Sequence, residues 1–262
     1  MPDESLDALL QTAVDAALQA GRVTLRHFRT GVAADRKADG TPVTVADREG
    51  ERTLRRIIGR RYPRHGILGE EEGETLPGAP FRWILDPLDG TKAFVHGSPL
   101  YGVLIGLERE GVPVLGVVHM PALDETVAAA SGLGCTWNGR PARVSGVARL
   151  RDGLVLTTDM RFPGSRGSAI TRAVSASAMA RTWGDCYGYV MVATGRAEAM
   201  IDPLMNVWDC AALLPILEEA GGTFTDWKGR RTIHGGDAVA TNGRVRDELM
   251  RVLHGEKKTR KA

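Results

Sequence analysis

Two carboxylates, a proline and a hydroxyl stand at the end of one predicted strand. The segment Asp86-Pro87-Leu88-Asp89-Gly90-Thr91 directly follows the apolar run Phe81-Arg82-Trp83-Ile84-Leu85. The run predicts a buried strand, Pro87 is expected to end its pairing, and Gly90 permits a sharp turn. Two carboxylates that converge in such a turn persist only when cations neutralise them. Oxygen ligands of this kind favour Mg²⁺, Mn²⁺ or Ca²⁺ over Zn²⁺.

Three further acidic groups stand beside residues that begin or interrupt regular structure. They are the run Glu70-Glu71-Glu72 between two glycines, Asp209 in the first turn of an apolar helix, and Asp47 near a helix start. Singly, they would fit a solvated charged turn, a helix-dipole partner with Asn206 as N-cap, and a helix-start residue. The strand-end pair alone would fit an Asx turn. Together, the four groups predict one metal site assembled from distant segments.

Three segments also form a recognisable series. The three segments of this chain are Gly69-Glu70-Glu71, Asp86-Pro87-Leu88-Asp89-Gly90-Thr91 and Trp208-Asp209-Cys210-Ala211-Ala212. Their order and spacing resemble those of the signature segments of the inositol monophosphatase superfamily. The resemblance extends from about Leu10 to about Leu253. Segments 184–189, 192–198 and 202–209 resemble the histidinol-phosphate phosphatase branch of that superfamily. True inositol phosphatases tend to carry Gly-Ser-Ala at 184–186, where this chain has Gly-Asp-Cys.

The resemblance implies a fold, a cofactor and a set of roles. The fold would be a layered αβαβα sandwich that mixes α/β and α+β features. The activity would be that of a phosphomonoesterase with two or three Mg²⁺ ions per site, Mn²⁺ being an alternative ion, in a homodimer. The metal ligands implied are Glu70, Asp86, the carbonyl of Leu88, Asp89 and Asp209. The residues implied to position the attacking water are Asp47, Glu70 and Thr91.

The residue types suit this chemistry. Phosphate-monoester hydrolysis needs a positioned nucleophile and neutralisation of charge on the phosphoryl and leaving oxygens. Two Mg²⁺ ions about 4 Å apart can meet both needs, and Asp86 is the candidate bridge between them. The hydroxyl of Thr91 can accept a hydrogen bond from water and donate one to a carboxylate. The backbone N–H groups of Gly90 and Thr91 can bind phosphate if a helix begins there.

The alcohol part of the substrate needs its own binding residues. The candidates for substrate binding are Asp89, Gly90, Thr91, Arg181, Asp185 and Asp202. Histidinol carries a positive amine, which Asp185 and Asp202 would complement, whereas inositol would need neutral partners for its hydroxyls. Structural roles remain open: a helix cap for Asp185, a turn for Asp202 before Pro203, and a surface ion pair for Arg181.

The resemblance to the histidinol-phosphate phosphatase branch implies hydrolysis of histidinol phosphate in histidine biosynthesis. Several other functions compete with this one. A haloacid-dehalogenase-type phosphatase has one residue between its two carboxylates, whereas Asp86 and Asp89 have two, a spacing that needs a turn. Within the superfamily, the alternatives are inositol 1-phosphate, fructose bisphosphate and nucleotide 3′-phosphate as substrates. A non-catalytic metal-dependent binding protein on the same scaffold is a further alternative. It is disfavoured because every required carboxylate and hydroxyl is present.

Composition agrees with an ordinary soluble protein. The chain has 262 residues, 43% of them hydrophobic, and a formal net charge of +2, so nucleic-acid binding has no compositional support. Three cysteines without CxxC spacing argue for a reducing compartment. No apolar run approaches the roughly 20 residues that cross a bilayer, and the N-terminus is acidic. These features predict a cytoplasmic protein without a membrane partner.

The periodicity predicts two halves that share a cleft. Residues 1–145 are expected to form an α+β half with an antiparallel sheet and most metal ligands, residues 146–254 an α/β half, and residues 255–262 a basic disordered tail. Helices are predicted over 5–29, 43–62, 168–180, 186–194, 207–220 and 244–254. Strands are predicted over 81–85, 100–107, 112–119, 126–130, 154–158 and 197–201.

Overall fold

A computed structural model describes residues 4–38 and 40–255 of the chain. The helices of this part are α1 (Leu6–His27), α2 (Val45–Arg61), α3 (Thr91–Val95), α4 (Gly164–Ala176), α5 (Asp185–Ala193), α6 (Val207–Ala211), α7 (Leu213–Glu219) and α8 (Arg246–His254). The strands are β1 (Ala34–Arg36), β2 (Pro42–Thr44), β3 (Gly66–Gly69), β4 (Gly73–Thr75), β5 (Phe81–Asp89), β6 (Gly102–Arg109), β7 (Val112–Met120), β8 (Glu125–Ala130), β9 (Gly134–Trp137), β10 (Arg140–Pro141), β11 (Leu154–Thr157), β12 (Met179–Arg181), β13 (Ala199–Asp202), β14 (Thr223–Thr225) and β15 (Ala238–Thr241). The predicted tail lies, apart from Gly255, outside the described residues.

The elements stack in five layers, as the resemblance implies. Helices α1 and α2 pack on one face of an eight-stranded sheet, and α5, α6 and α7 lie between that sheet and a five-stranded one. Helices α4 and α8 cover the outer face of the smaller sheet. This arrangement is the αβαβα sandwich expected from the sequence. Among the described residues, no helix combines the length and apolar character that a membrane crossing requires.

The larger sheet has the strand order β10-β9-β8-β7-β6-β5-β3-β4. All its pairs are antiparallel except β3 with β5, which run parallel. The carboxyl ends of β3 and β5 therefore lie at the same edge, because parallel strands end on one side of a sheet. This edge carries both Glu70 and the Asp86–Asp89 segment.

Side chains of β5 alternate between the two faces of the sheet. Trp83 and Leu85 join the core beneath α1 and α2, whereas Ile84 joins the central core with α5 and α7. This alternation follows from the pleat of a β-strand. Asp86 stands two residues after Ile84 and so faces the central layer, where α6 lies.

The five-stranded sheet has the order β12-β11-β13-β15-β14. Strand β11 pairs parallel with β12 and β13, and β15 pairs antiparallel with β13 and β14. The alternation of strands and helices predicted for this half is present. All three cysteines are buried as free thiols.

Pro87 does not end its strand, contrary to the expectation from its missing N–H. Asp86 pairs with Leu104 and Asp89 pairs with Gly102, with a shift in register between the two pairs. Pro87 and Leu88 are thus accommodated in a bulge, which tolerates a residue that cannot donate to the ladder. The two carboxylates consequently flank a bulge inside β5.

The helix predicted over 207–220 is two helices, α6 and α7, which meet at Ala212. Pro215 has no N–H to donate to the carbonyl four residues earlier, so a continuous helix cannot be maintained there. The helix predicted over 43–62 starts at Val45, because Pro42–Thr44 forms β2. Thr44 is the N-cap of this helix.

Two further expectations were wrong in detail. The helix predicted over 168–180 runs from Gly164 to Ala176, and Met179–Arg181 forms the edge strand β12 instead. The sheet of the first half is not wholly antiparallel, because β3 pairs parallel with β5. Strand β3 was not predicted, since its four residues include two glycines.

Candidate metal-binding active site

The bulge in β5 presents the first two carboxylates. Asp86 Oδ1 accepts a hydrogen bond from the backbone N–H of Leu88 at 2.9 Å, which fixes the turn around Pro87. Gly90 follows with φ 87° and precedes α3, and a Cβ at this position would lie 2.9 Å from the carbonyl oxygen of Leu100. Only glycine satisfies both the left-handed backbone and the close approach.

The third carboxylate comes from α6. Asn206 is the N-cap of this helix, and its backbone N–H donates to Asp209 Oδ2 at 2.6 Å in a capping box. The cap uses one oxygen of Asp209 and leaves the other for the cluster. Ligand oxygens of Asp86, Asp89 and Asp209 all lie within 4.8 Å of one another. Carboxylates from positions far apart in the chain therefore converge.

Glycines bring α6 and α7 against the larger sheet. A Cβ at Gly106 would lie 2.6 Å from the Cβ of Ala211, and a Cβ at Gly116 would overlap the carbonyl oxygen of Ala212. The close approach holds Asp209 beside the end of β5. Any side chain at Gly116 would push this junction away from the sheet.

Glu51 shapes the turn that carries Glu70. Its carboxylate is completely buried and accepts the N–H of Glu71 at 2.7 Å and the N–H of Glu72 at 3.0 Å. Arg55 donates to the same carboxylate at 2.7 Å, so the buried charge is paired. Helix α2 thus fixes the path of the chain immediately after β3.

Lys37 links the β1–β2 segment to this acidic turn. Its Nζ donates to Glu70 Oε1 at 2.7 Å and to Glu71 Oε1 at 2.6 Å. Burial opposes the charged form of Lys37, but these hydrogen bonds and charges outweigh it and raise its pKa. The ammonium therefore remains charged beside Glu70.

Asp47 and Thr91 meet although they are far apart in sequence. Thr91 Oγ1 lies 3.1 Å from Asp47 Oδ1 and 3.1 Å from the carbonyl oxygen of Leu88. Asp47 Oδ2 accepts the N–H and the hydroxyl of Thr44, which caps α2. Burial raises the pKa of Asp47, against the effect of these hydrogen bonds.

Burial and mutual repulsion dominate the electrostatics of the cluster. Burial raises the pKa of Asp86 well above its ordinary value, and the charges of Glu70, Asp89 and Asp209 raise it further. Burial, then Asp185 and Asp209, do the same to the pKa of Asp89. The pKa of Asp209 rises to about 7, mainly through burial. A bound cation relieves this repulsion, because it compensates several carboxylates at once.

Two adjoining cavities open at this cluster. The first, of about 320 Å³, contains every residue predicted to hold metal, and it is lined among others by Glu70, Asp86, Leu88, Asp89, Thr91 and Asp209. The second, of about 250 Å³, shares Asp89, Lys92, Thr158, Asp185 and Asp209 with the first. The arrangement provides one space beside the carboxylates and another leading outward from it.

The structure brings two of the three additional candidates for substrate binding to these cavities. Asp185 lies at their junction, with φ 50°, and its N–H donates to Thr158 Oγ1 at 3.0 Å. Asp202 lines the second cavity but is 3% exposed. Arg181 is exposed on the edge strand β12, where it donates to the carbonyl of Ala180, and it lines neither cavity.

Among the residues at the site that were not singled out from the sequence are Lys37, Glu51, Lys92 and Thr158. Glu51 stands four residues after Asp47 and therefore on the same helix face, a signal that could have identified it. Lys92 directly follows the strand-end motif. Lys37 and Thr158 reach the site through the fold alone.

The donor set fits a hard divalent cation. Asp86, Asp89 and Asp209 offer carboxylate oxygens at short mutual distance, and Leu88 lines the same cavity. Oxygen ligands are those that Mg²⁺, Mn²⁺ and Ca²⁺ prefer. The thiol of Cys186, which lines the second cavity, is buried, and burial raises its pKa well above the ordinary value, which disfavours a thiolate ligand.

Comparison with known proteins gives a consistent result. The family model described as "Inositol monophosphatase family" matches residues 5–258. A histidinol-phosphatase of Chlorobaculum parvum is 42% identical over 254 residues, covering 95% of this chain and 98% of that protein. A histidinol-phosphatase of Mycobacterium tuberculosis is 39% identical, covering 94% and 97%.

A solved structure of the extragenic suppressor protein suhB from Bartonella henselae has the same fold. It superposes with a TM-score of 0.89 at 32% identity, over 96% of this chain and 99% of that chain. The match of the family model spans nearly the whole sequence and includes every carboxylate of the cluster. The chain belongs to the inositol monophosphatase family.

Proposed function

We propose that the protein is a Mg²⁺-dependent phosphomonoesterase that hydrolyses histidinol phosphate to histidinol and phosphate. The convergence of Asp86, Asp89 and Asp209 within 4.8 Å is the observation that carries the proposal. Such a cluster of like charges is costly without cations, and its oxygen donors suit Mg²⁺. The similarity to histidinol-phosphatases over almost the full length of the chain supports the choice of substrate.

In this proposal, Glu70, Asp86, Asp89, Asp209 and the carbonyl of Leu88 hold the metal. Bound Mg²⁺ would neutralise phosphoryl charge and make a water molecule more acidic. Lys37 already pairs with Glu70, so its charge limits repulsion in the acidic turn. The chain itself supplies the orientation of these oxygens through the bulge in β5 and the cap of α6.

Thr91 and Asp47 would orient the nucleophile. When the hydroxyl of Thr91 donates to Asp47, the lone pairs of its oxygen remain free to accept a hydrogen bond from water. Asp47 is 1% exposed and held by Thr44, so the pair is preorganised before substrate binds. Glu70 lines the same cavity and would contribute to positioning the water.

The phosphate would bind beside Gly90 and Thr91, with Asp89 at the boundary toward the alcohol. Asp185 lies at the junction of the two cavities and complements a positive amine next to the ester carbon. Asp202 supports this wall through buried hydrogen bonds to Thr158 and Tyr189, rather than through a free carboxylate. The position of Arg181 on β12 offers no support for a role in binding within one chain.

Two further features are proposed from the family resemblance and the composition. We infer a homodimer, as is implied for this family, and a cytoplasmic location, which buried free thiols support. Size-exclusion chromatography with light scattering tests the first.

Phosphate release from a panel of monoesters tests the proposed function. The panel contains histidinol phosphate, inositol 1-phosphate and fructose bisphosphate, each with Mg²⁺ and with EDTA. We expect the highest kcat/KM on histidinol phosphate and loss of release in EDTA. Activity on none of the substrates would favour a binding protein, and unchanged release in EDTA would remove the metal from the mechanism.

A further inference from the structure

Several aspartates line the second cavity, and they differ in how many hydrogen-bond and charge partners their carboxylates already have. Its acidic residues are Asp89, Asp159, Asp185, Asp202 and Asp209. Asp89 and Asp209 belong to the metal cluster. The remaining three are the candidates for contact with the alcohol part of the substrate.

Asp202 has no free carboxylate oxygen to offer. Oδ1 accepts the N–H of Thr158 at 3.2 Å, and Oδ2 accepts the hydroxyl of Tyr189 at 3.0 Å. Its side chain is 3% exposed, which leaves little surface for a ligand. Asp202 therefore supports the cavity wall.

Asp185 is oriented toward the metal side of the cavity. Its Oδ2 lies near Gly90, where a Cβ would be 3.2 Å away, and its charge acts on Asp89. Lys92, which lines both cavities, places a positive charge near Asp185. The carboxylate of Asp185 would thus lie close to the phosphate-ester end of a substrate, and Lys92 partly compensates its negative charge.

Asp159 is exposed and lies in the segment after β11. Its Oδ1 accepts the N–H of Arg161 at 2.7 Å, which fixes the side chain at the cavity rim. Within the described ranges 4–38 and 40–255, Oδ2 of Asp159 has no hydrogen-bond or ion-pair partner. One oxygen of a preoriented carboxylate is therefore available to a donor in the cavity.

An apolar wall stands in the same cavity as this carboxylate. Phe162, Leu204 and Met205 line it, and Leu204 has 72% of its surface exposed. A large exposed aliphatic side chain beside a charged residue is suited to a ligand that has both a flat apolar face and a polar edge.

Histidinol phosphate has two nitrogen-bearing groups at different distances from the phosphate. The amine is on the carbon next to the ester carbon, so it stays near the metal side and Asp185. The imidazole extends further and offers an aromatic face and an N–H at its edge. We propose that Asp159 accepts a hydrogen bond from this imidazole, whose ring packs on Phe162 and Leu204; the assignment rests on the proposed function.

Asp159→Asn tests the assignment with three substrates. The variant keeps Oδ1 for the N–H of Arg161 but loses the negative charge. We expect kcat/KM for histidinol phosphate to fall about fivefold or more, through KM, because the amide places an N–H group where the carboxylate offered an acceptor to the ring N–H. Hydrolysis of phosphoethanolamine, which has the amine but no ring, and of inositol 1-phosphate should be unchanged. Asp152→Asn, an exposed aspartate paired with Arg149, is the matched control.

The outcomes separate the two proposals. Wild-type enzyme that is active on inositol 1-phosphate but inactive on histidinol phosphate would refute the proposed substrate, and this assignment with it. Wild-type activity on histidinol phosphate with no loss in Asp159→Asn would refute the assignment alone. An equal loss on all three substrates would indicate a structural role for Asp159. Phe162→Leu should also raise KM only for histidinol phosphate.

Discussion

The backbone N–H of Cys186 donates a hydrogen bond to Asp89 Oδ2, and the two residues are 97 positions apart. Asp89 ends a strand of the larger sheet, whereas Cys186 lies in the first turn of α5 between the sheets. A carboxylate of the converging aspartate cluster is therefore oriented by a helix from the other half of the chain. The two halves are coupled at the point where chemistry would occur.

Asp89→Asn should separate activity from stability. The variant keeps an oxygen that can accept from Cys186, but it removes a negative charge from a cluster in which burial and neighbouring charges raise the pKa values of Asp86 and Asp89. We expect turnover to fall about 100-fold or more, since a preorganised electrostatic contact is lost. The metal-free variant should unfold at a higher temperature than metal-free wild type. Steady-state kinetics with Mg²⁺ and thermal unfolding in EDTA measure the two effects, and near-normal kcat would exclude Asp89 from the site.

Glu51→Gln should disturb the turn that carries Glu70 without touching the metal ligands. An amide can keep one oxygen for Arg55 and Glu72, but its NH2 group would then face the N–H donor of Glu71, and the negative charge paired with Arg55 would be lost. The expected loss in unfolding free energy is about 1–3 kcal/mol, together with weaker Mg²⁺ activation. Urea unfolding and Mg²⁺ titration of activity provide the readouts. Glu110→Gln, at an exposed side chain between β6 and β7, is the control that should change little.

Gly116→Ala should displace the junction of α6 and α7. The added methyl would overlap the carbonyl oxygen of Ala212 and move Asp209 away from the end of β5. We expect about 1–3 kcal/mol of destabilisation and a lower kcat. Gly146→Ala is a suitable control because a Cβ there meets nothing within 4 Å. Equal behaviour of the two variants would show that the close approach does not position Asp209.

Asp202 should make stability depend on pH. Burial raises its pKa from 3.8 to about 6, so the folded protein binds a proton that the unfolded chain releases near pH 4. Its contribution is fully present below about pH 4 and is lost as pH rises through about 6, by about 3 kcal/mol in total. Asp202→Asn should lack this loss. Urea unfolding of both proteins from pH 4 to 7 in constant Mg²⁺ should give a difference in free energy that changes over this window; a constant difference would contradict the shift.

Local sequence rules identified most helices and strands but not the bulges and breaks within them. The 3.6-residue spacing of apolar residues and the cap at Ser5 predicted α1 closely, and the structure places that helix at Leu6–His27. The structural effects of Pro87 and Pro215 were harder to predict. The first was expected to end a strand and instead lies in a bulge, and the second divides a predicted helix. In each case the neighbouring sheet or helix layer determined how the missing N–H was accommodated.

The candidate site shows a similar division. The residue types at Asp86, Asp89 and Asp209, and their place beside turns and caps, predicted oxygen ligation before any geometry was known. The sequence pattern offered Asp185, Asp202 and Arg181 as candidate substrate contacts, each with a structural alternative. Burial and hydrogen bonding distinguish them, since Asp202 is engaged internally and Arg181 lies away from both cavities.

The sequence by itself determined the chemistry available to this protein: the ligand types, their order, and the helix and strand periodicities that carry them. These are local properties, set by side-chain chemistry and by the backbone preferences of proline and glycine. Only the tertiary structure decided which carboxylates converge and which have their oxygens occupied by buried hydrogen-bond partners. It also decided that Lys37, Glu51 and Asp159 lie near the converging carboxylates. Such contacts join residues far apart in the chain, and their distances depend on how the layers pack.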